Sequence, residues 1–291
     1  MIQRVLTALV GIPLLVTAIW FGAPWLTLLL LLVVTLGIWE FYRLTPGNGS
    51  GKGPGGGPED SRTLPTLLGI IWVMAFVLGG QAATGPSHFL TISLVVFGCG
   101  SFLSLLWLVA FFRGPGLGVK TGYLIGGPLY VGFLLGHVLV LRNLGEGDSL
   151  GRDWVLFALL LTFATDTGAF LVGRAIGRHP MSPRISPNKT LEGAAGGFCL
   201  AIIAATVLPQ WLELGLLRWQ LWVIGATVGV VAQTGDLLES KLKRISGVKD
   251  TGGIIPGHGG ILDRLDSLVI SMPAVYYLVT LVFPVTPVFP P

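Results

Sequence analysis

The chain has 291 residues, 52% of them hydrophobic and only 11% charged, with a formal charge of +4. Its mean hydropathy of +0.79 excludes an ordinary soluble domain, and apolar runs recurring from end to end point to a helix bundle in lipid. The two cysteines, Cys99 and Cys199, sit inside apolar runs without CxxC or ligand-like spacing. They read as small buried packing residues, not as a disulfide or a metal pair.

An apolar run over 5–21 follows Arg4 and could pass for a signal peptide, but no small-x-small cleavage site ends it. Ala23-Pro24-Trp25 instead turns into a second run reaching Trp39, so residues 1–44 are expected to form a retained transmembrane hairpin. Trp20, Trp25 and Trp39 lie near the ends of these runs, where amphipathic rings favour the interface, and Glu40 and Arg43 close the pair. Residues 45–63 are rich in Gly and Pro with no apolar side chains to bury, and are expected to form a solvated cytoplasmic linker. A phosphate-binding loop there is disfavoured, because the GxxxxGK[ST] pattern is absent and no strand precedes it.

Further apolar runs occupy 64–80, 89–112 and 122–141, making a middle region of 64–150. Those at 154–172, 191–208, 221–238 and 262–283 make a C-terminal region, 151–291, expected to carry the chemistry. Each is near the roughly 20 residues a bilayer needs. The expected fold is an all-α polytopic membrane bundle of about nine transmembrane helices with a cytoplasmic N-terminus. With that orientation only Arg142, Arg152 and Arg218 fall outside, while the other Lys and Arg residues gather on the cytoplasmic side. The protein is therefore expected in the cell (inner) membrane, with its polar segments facing nucleotides and Mg²⁺.

Two such segments carry chemistry. In the first, Asp166 lies within an otherwise apolar run, either as a site residue or as a carboxylate satisfied by a nearby Ser, Thr or Arg. The pentapeptide Ser186-Pro187-Asn188-Lys189-Thr190 is expected to open a helix, with two readings left open. Its free N–H groups and Lys189 would suit phosphate oxygens, or it is a simple N-cap with an interfacial lysine. Gly193, Gly197, Gly225 and Gly229 form small-xxx-small pairs suited to close helix packing.

In the second segment, Asp236, Ser240 and Lys243 stand at i, i+4 and i+7 and share one helix face. Asp263 and Asp266, at i and i+3, are expected to share a face of the last helix. Carboxylates from two helix ends make an oxygen-only site suited to Mg²⁺ and not to zinc. Lys243, Arg244, Lys249, His258 and Arg264 around it complement a polyphosphate. Gly257, Gly259 and Gly260 permit positive φ or a close backbone approach. The alternative is an ordinary positive-inside loop with carboxylates as counter-ions.

The stretch Ser240-x-x-Lys243-Arg244-x(4)-Lys249-Asp250-x-Gly252-x(2)-Ile255-Pro256-Gly257-His258-Gly259-Gly260-Ile261-x-Asp263-Arg264-x-Asp266 resembles the signature of the phosphatidate cytidylyltransferases (CDP-diacylglycerol synthases). The stretches 166–170 and 186–193 and the opening Gln3-Arg4-Val5-Leu6-Thr7-Ala8 also resemble that family. The resemblance implies transfer of CMP from CTP to phosphatidate, giving CDP-diacylglycerol and pyrophosphate with Mg²⁺. It implies Asp236, Asp263 and Asp266 as metal ligands, with a second cation such as K⁺ admitted at the same carboxylates. Asp236, Asp263, Lys243 and Arg264 would be catalytic. Asp166, Ser186, Asn188, Lys189, Thr190, Glu192, Ser240, Arg244, Lys249, Asp250, Gly257, His258, Gly259 and Gly260 would bind substrates. The implied partners are CTP, phosphatidate, membrane lipids and a second copy in a homodimer, with no nucleic acid. A CTP-dependent prenol or dolichol kinase and an anion transporter are the alternatives. The pattern of the CDP-alcohol phosphotransferases is missing.

Overall fold

The computed structural model describes residues 2–45, 60–112, 116–145, 148–255, 257 and 259–284. Most of the expected linker at 45–63 lies outside the described residues, as do Pro256 and His258. Among the described residues, eight helical stretches are long and apolar enough to cross a bilayer. Helix α1 (Ile2–Phe21) adds a shorter apolar stretch, Leu9–Phe21. The chain is thus an all-α polytopic membrane protein. Its helices follow the apolar runs because in lipid each backbone N–H must find a carbonyl within its own helix.

Two compact units divide the chain. The first takes residues 1–139 with 242–264, and the second takes 140–241 with 265–291.

In the first unit, α2 (Trp25–Arg43) packs with α1 and α3 (Asp60–Ala82), and α3 packs with α4 (Pro86–Phe111). Helix α5 (Leu117–Pro128) reaches α2, α3 and α4. Val34 and Ile38, Val73 and Phe76, Phe89 and Val131 form its buried apolar core. After Pro128 the helix widens into a π-helical turn, Leu129–Phe133, before α6 (Leu134–Arg142). Proline has no N–H for the regular ladder, which gives the widening a local cause. Phe133 stacks on Phe89 with centroids 5.9 Å apart. Helix α4 is apolar all round, and Val109 is 78% exposed, as befits a helix surrounded by hydrocarbon.

The second unit is built on α7 (Asp148–Ile176) and α8 (Leu191–Val207), which pack along one another. A Cβ on Gly197 would come within 2.6 Å of the Thr165 carbonyl, and one on Gly193 within 2.7 Å of that of Ala169. Helix α9 (Arg218–Ile245) meets α8 the same way: a Cβ on Gly225 would lie 2.7 Å from the Ala205 Cβ, and one on Gly229 3.1 Å from the Phe198 Cα. The small-residue pairs therefore serve close helix packing, as expected. The chain ends in α10 (Leu262–Leu265) and α11 (Leu268–Tyr277), and α11 packs on α7.

Three expectations need correction. Ser186–Thr190 does not open a helix; it is strand β2, paired antiparallel with β1 (Pro180–Ser182). Pro187 disfavours helical backbone in the residue before it, and α8 starts only at Leu191. The N-cap is Thr190, whose Oγ1 accepts from Gly193 N at 3.1 Å. The last run is not one continuous helix either: Asp266 falls in a turn between α10 and α11, so it does not share a helix face with Asp263. Its Oδ1 accepts from Ser267 N at 2.8 Å, a local bond that competes with the helical ladder. Finally, Cys99 and Cys199 are free but exposed, not buried. They lie on the outward surfaces of α4 and α8, where lipid and not protein supplies the apolar surroundings.

Candidate active site

Within the second unit three carboxylates converge. One oxygen each from Asp236, Glu239 and Asp266 lies within 4.8 Å of the others. Asp236 and Glu239 stand at i and i+3 on α9, so helical geometry puts them on one face. The backbone of Asp266 is brought close by Gly235, where a Cβ would sit 2.5 Å from the Asp266 carbonyl. Glu239 is buried, while Asp236 and Asp266 are partly open. Three negative groups so close repel one another, and a bound cation relieves that. An oxygen-only set matches a hard divalent ion such as Mg²⁺, so the residues present fit the metal that the sequence implied.

Other expected site residues stand in the same unit. Lys189, carried by β2, pairs with Asp236 at 2.5 Å, and both side chains remain about a quarter to a third exposed. Ser240 Oγ lies 3.4 Å from Asp236 Oδ1, one helical turn away. Asp166 on α7 accepts from Ser267 Oγ at 3.2 Å, so the serine partner weighed for it is present. Glu192 is committed to the approach to the hairpin: its Oε2 accepts from Arg178 N at 3.1 Å and His179 N at 3.2 Å, and Oε1 pairs with His179 Nδ1 at 2.5 Å. Asn188 is exposed on the hairpin, and Ser186 is half-buried.

The first unit holds the loop that joins α9 to α10. Asp263 organises it. Its Oδ2 accepts from Gly260 N at 2.9 Å, Thr251 N at 3.0 Å and Thr251 Oγ1 at 3.1 Å. Its Oδ1 takes Lys243 Nζ at 2.7 Å. Ligation of a cation by Asp263 therefore requires that ion pair to open or to be shared. Gly257 and Gly259, at φ of 76° and 84°, close a tight turn in which Ile255 N donates to the Gly259 carbonyl at 3.0 Å. Gly260 is different: it is buried, and the space that a side chain would need is filled by Thr251 and by the Glu40 carboxylate. Arg244, Lys249, Asp250 and Arg264 are exposed, and Arg244 reaches the Val248 carbonyl at 3.4 Å. His258 lies outside the described residues.

Sequence reasoning missed Glu239 as a member of the carboxylate group, although its i, i+3 spacing from Asp236 was a usable signal. It also missed Glu40 and Thr251 and gave no role to Gly252, and these three meet in the first unit. Glu40 Oε2 accepts from Leu262 N at 3.1 Å and lies 3.2 Å from Thr251 Oγ1. The one signal for Glu40 was an acid closing an apolar run.

The family model described as the cytidylyltransferase family matches residues 2–282. A phosphatidate cytidylyltransferase of Bacillus subtilis strain 168 is 35% identical over 219 residues, covering 75% of this chain and 80% of that protein. Phosphatidate cytidylyltransferases of Staphylococcus saprophyticus and Staphylococcus epidermidis are each 45% identical over 128 residues, 44% of this chain and 49% of theirs.

Proposed function

This chain belongs to the cytidylyltransferase family, and we propose that it is a phosphatidate cytidylyltransferase that transfers CMP from CTP to phosphatidate, forming CDP-diacylglycerol and pyrophosphate. The lipid phosphate is already a nucleophile at neutral pH, so no strong general base is needed. One of its oxygens forms a bond to the α-phosphorus of CTP. The bond from that phosphorus to the bridging oxygen breaks, and pyrophosphate leaves with the electron pair. The enzyme's burden is to bring anions together and to stabilise charge on the leaving group.

The observation that carries this reading is the convergence of Asp236, Glu239 and Asp266 with Lys189 at hand. These carboxylates would hold Mg²⁺, which supplies positive charge against the phosphates of CTP. A second cation such as K⁺ would add to the same oxygens. Lys189, next to Asp236, would turn its ammonium to a phosphate oxygen once a metal claims the aspartate. Lys243 and Arg264, with Arg244 and Lys249, would neutralise the triphosphate and the lipid phosphate. Asp263 would act by holding Lys243 and the loop, with its Oδ1 open to a cation when the lysine moves.

The test uses the purified protein in detergent with phosphatidate and each nucleoside triphosphate in turn, with and without Mg²⁺. Labelled CMP should appear in the lipid product only with CTP and Mg²⁺. Asp236→Asn should reduce turnover at least about a hundredfold. Label from the γ-phosphate in the lipid would instead mean a lipid kinase. Movement of anions across proteoliposomes without CTP turnover would mean a transporter.

A further inference from the structure

We infer that Glu40 is a positioning residue that clamps the loop carrying Thr251 and Asp263 onto α2, and through it sets Lys243 for CTP. The last step rests on the function proposed above; the clamp itself rests on geometry within the first unit.

Glu40 is fully buried, one turn from the end of a membrane-spanning helix. A carboxylate is costly there unless it is hydrogen-bonded; here Oε2 takes the bonds, while the buried Oε1 has no hydrogen-bond partner among the described residues. The basic residue of that last turn does not answer it: Arg43 lies over the Trp39 ring at 4.0 Å and is exposed. Its partners come instead from more than two hundred residues further along the chain. Leu262 N, at the start of α10, donates to Oε2 at 3.1 Å, so the carboxylate serves one of the N–H groups that a helix start leaves without a partner. The Thr251 hydroxyl lies between the two carboxylates, 3.2 Å from Glu40 Oε2 and 3.1 Å from Asp263 Oδ2, and its one proton can go to either of them in turn.

The glycines make the same point independently. A Cβ on Gly260 would come within 2.6 Å of Glu40 Oε2, and one on Gly252 within 2.9 Å of Glu40 Cδ. At both positions the loop gives up a side chain where the Glu40 carboxylate lies. Gly260 also donates its N–H to Asp263 Oδ2 at 2.9 Å, so the residue that rests on Glu40 also fixes Asp263. From Asp263 the chain of contacts runs to Lys243 Nζ at 2.7 Å.

The experiment compares Glu40→Ala, Glu40→Gln and Thr251→Val in the full chain in detergent. Two readouts are taken: hydrogen exchange over residues 248–262 without substrates, and the separate kinetic constants for CTP and phosphatidate. Glu40→Ala should speed exchange in this loop and lower kcat/KM for CTP about tenfold or more. Glu40→Gln keeps an accepting oxygen and should restore both readouts to near the parent values. Thr251→Val, which keeps the shape and removes the hydroxyl, should share the Glu40→Ala phenotype even if that variant does not fold. The inference is overturned if loop exchange and the CTP constants of Glu40→Ala match the parent, if Glu40→Gln is as impaired as Glu40→Ala, or if Thr251→Val is silent. Exchange is read without turnover, so a parent protein inactive toward CTP would defeat the proposed function while leaving the clamp testable.

Discussion

At Asp263 one carboxylate oxygen takes three donors from the loop and the other takes Lys243. Asparagine at this position keeps a single accepting oxygen and offers N–H groups where either the loop or the lysine needs an acceptor. Asp263→Asn should therefore lose CTP-dependent turnover by at least about a hundredfold, with the elution volume in size-exclusion chromatography unchanged; near-normal turnover would count against both its loop role and its proposed metal role. The acids of this region could be found in the sequence because ionisable residues stand out in a greasy chain. Which of them meet could not be. Helical spacing pairs Asp236 with Glu239 and Asp263 with Asp266 equally well, and only the turn at Asp266 decides that it joins the first pair. Glu40 was harder still, since its partners Thr251 and Leu262 are 211 and 222 positions away.

The membrane helices were legible almost throughout, because hydrocarbon imposes one requirement on every span: about 20 apolar residues with their backbone satisfied internally. The β1–β2 hairpin and the break before α11 were not, since strands of three and five residues and a two-residue turn leave no periodicity to read. The glycines of α8 give a prediction at this scale. Gly197 faces a backbone carbonyl of α7, which cannot rotate away as a side chain can. Gly197→Leu should destabilise the protein by about 1–3 kcal/mol or more through overpacking, seen as a lower midpoint of thermal unfolding in detergent. A methyl group added at Gly98 would meet nothing within 4 Å, so Gly98→Ala should leave that midpoint unchanged or slightly raised.

For the whole molecule, the charge distribution predicts a topology. Helix α9 is long and apolar enough to span, with exposed Glu213 shortly before it and exposed Lys249 shortly after it. With both native cysteines replaced by alanine, Glu213→Cys should react with a membrane-impermeant maleimide in intact cells, and Lys249→Cys only after lysis. The reverse pattern would put the loop and its acids on the outer side, away from CTP. The two native thiols have a practical consequence of their own. On the outward faces of α4 and α8, Cys99 and Cys199 are shielded by acyl chains from water and dissolved oxidants only while the bilayer lasts. A detergent micelle is a looser coat, and two molecules sharing one can couple through these sulfurs. A double-weight band on a non-reducing gel would support a homodimer only if it persists in the cysteine-free protein; if it vanishes there, purification made it.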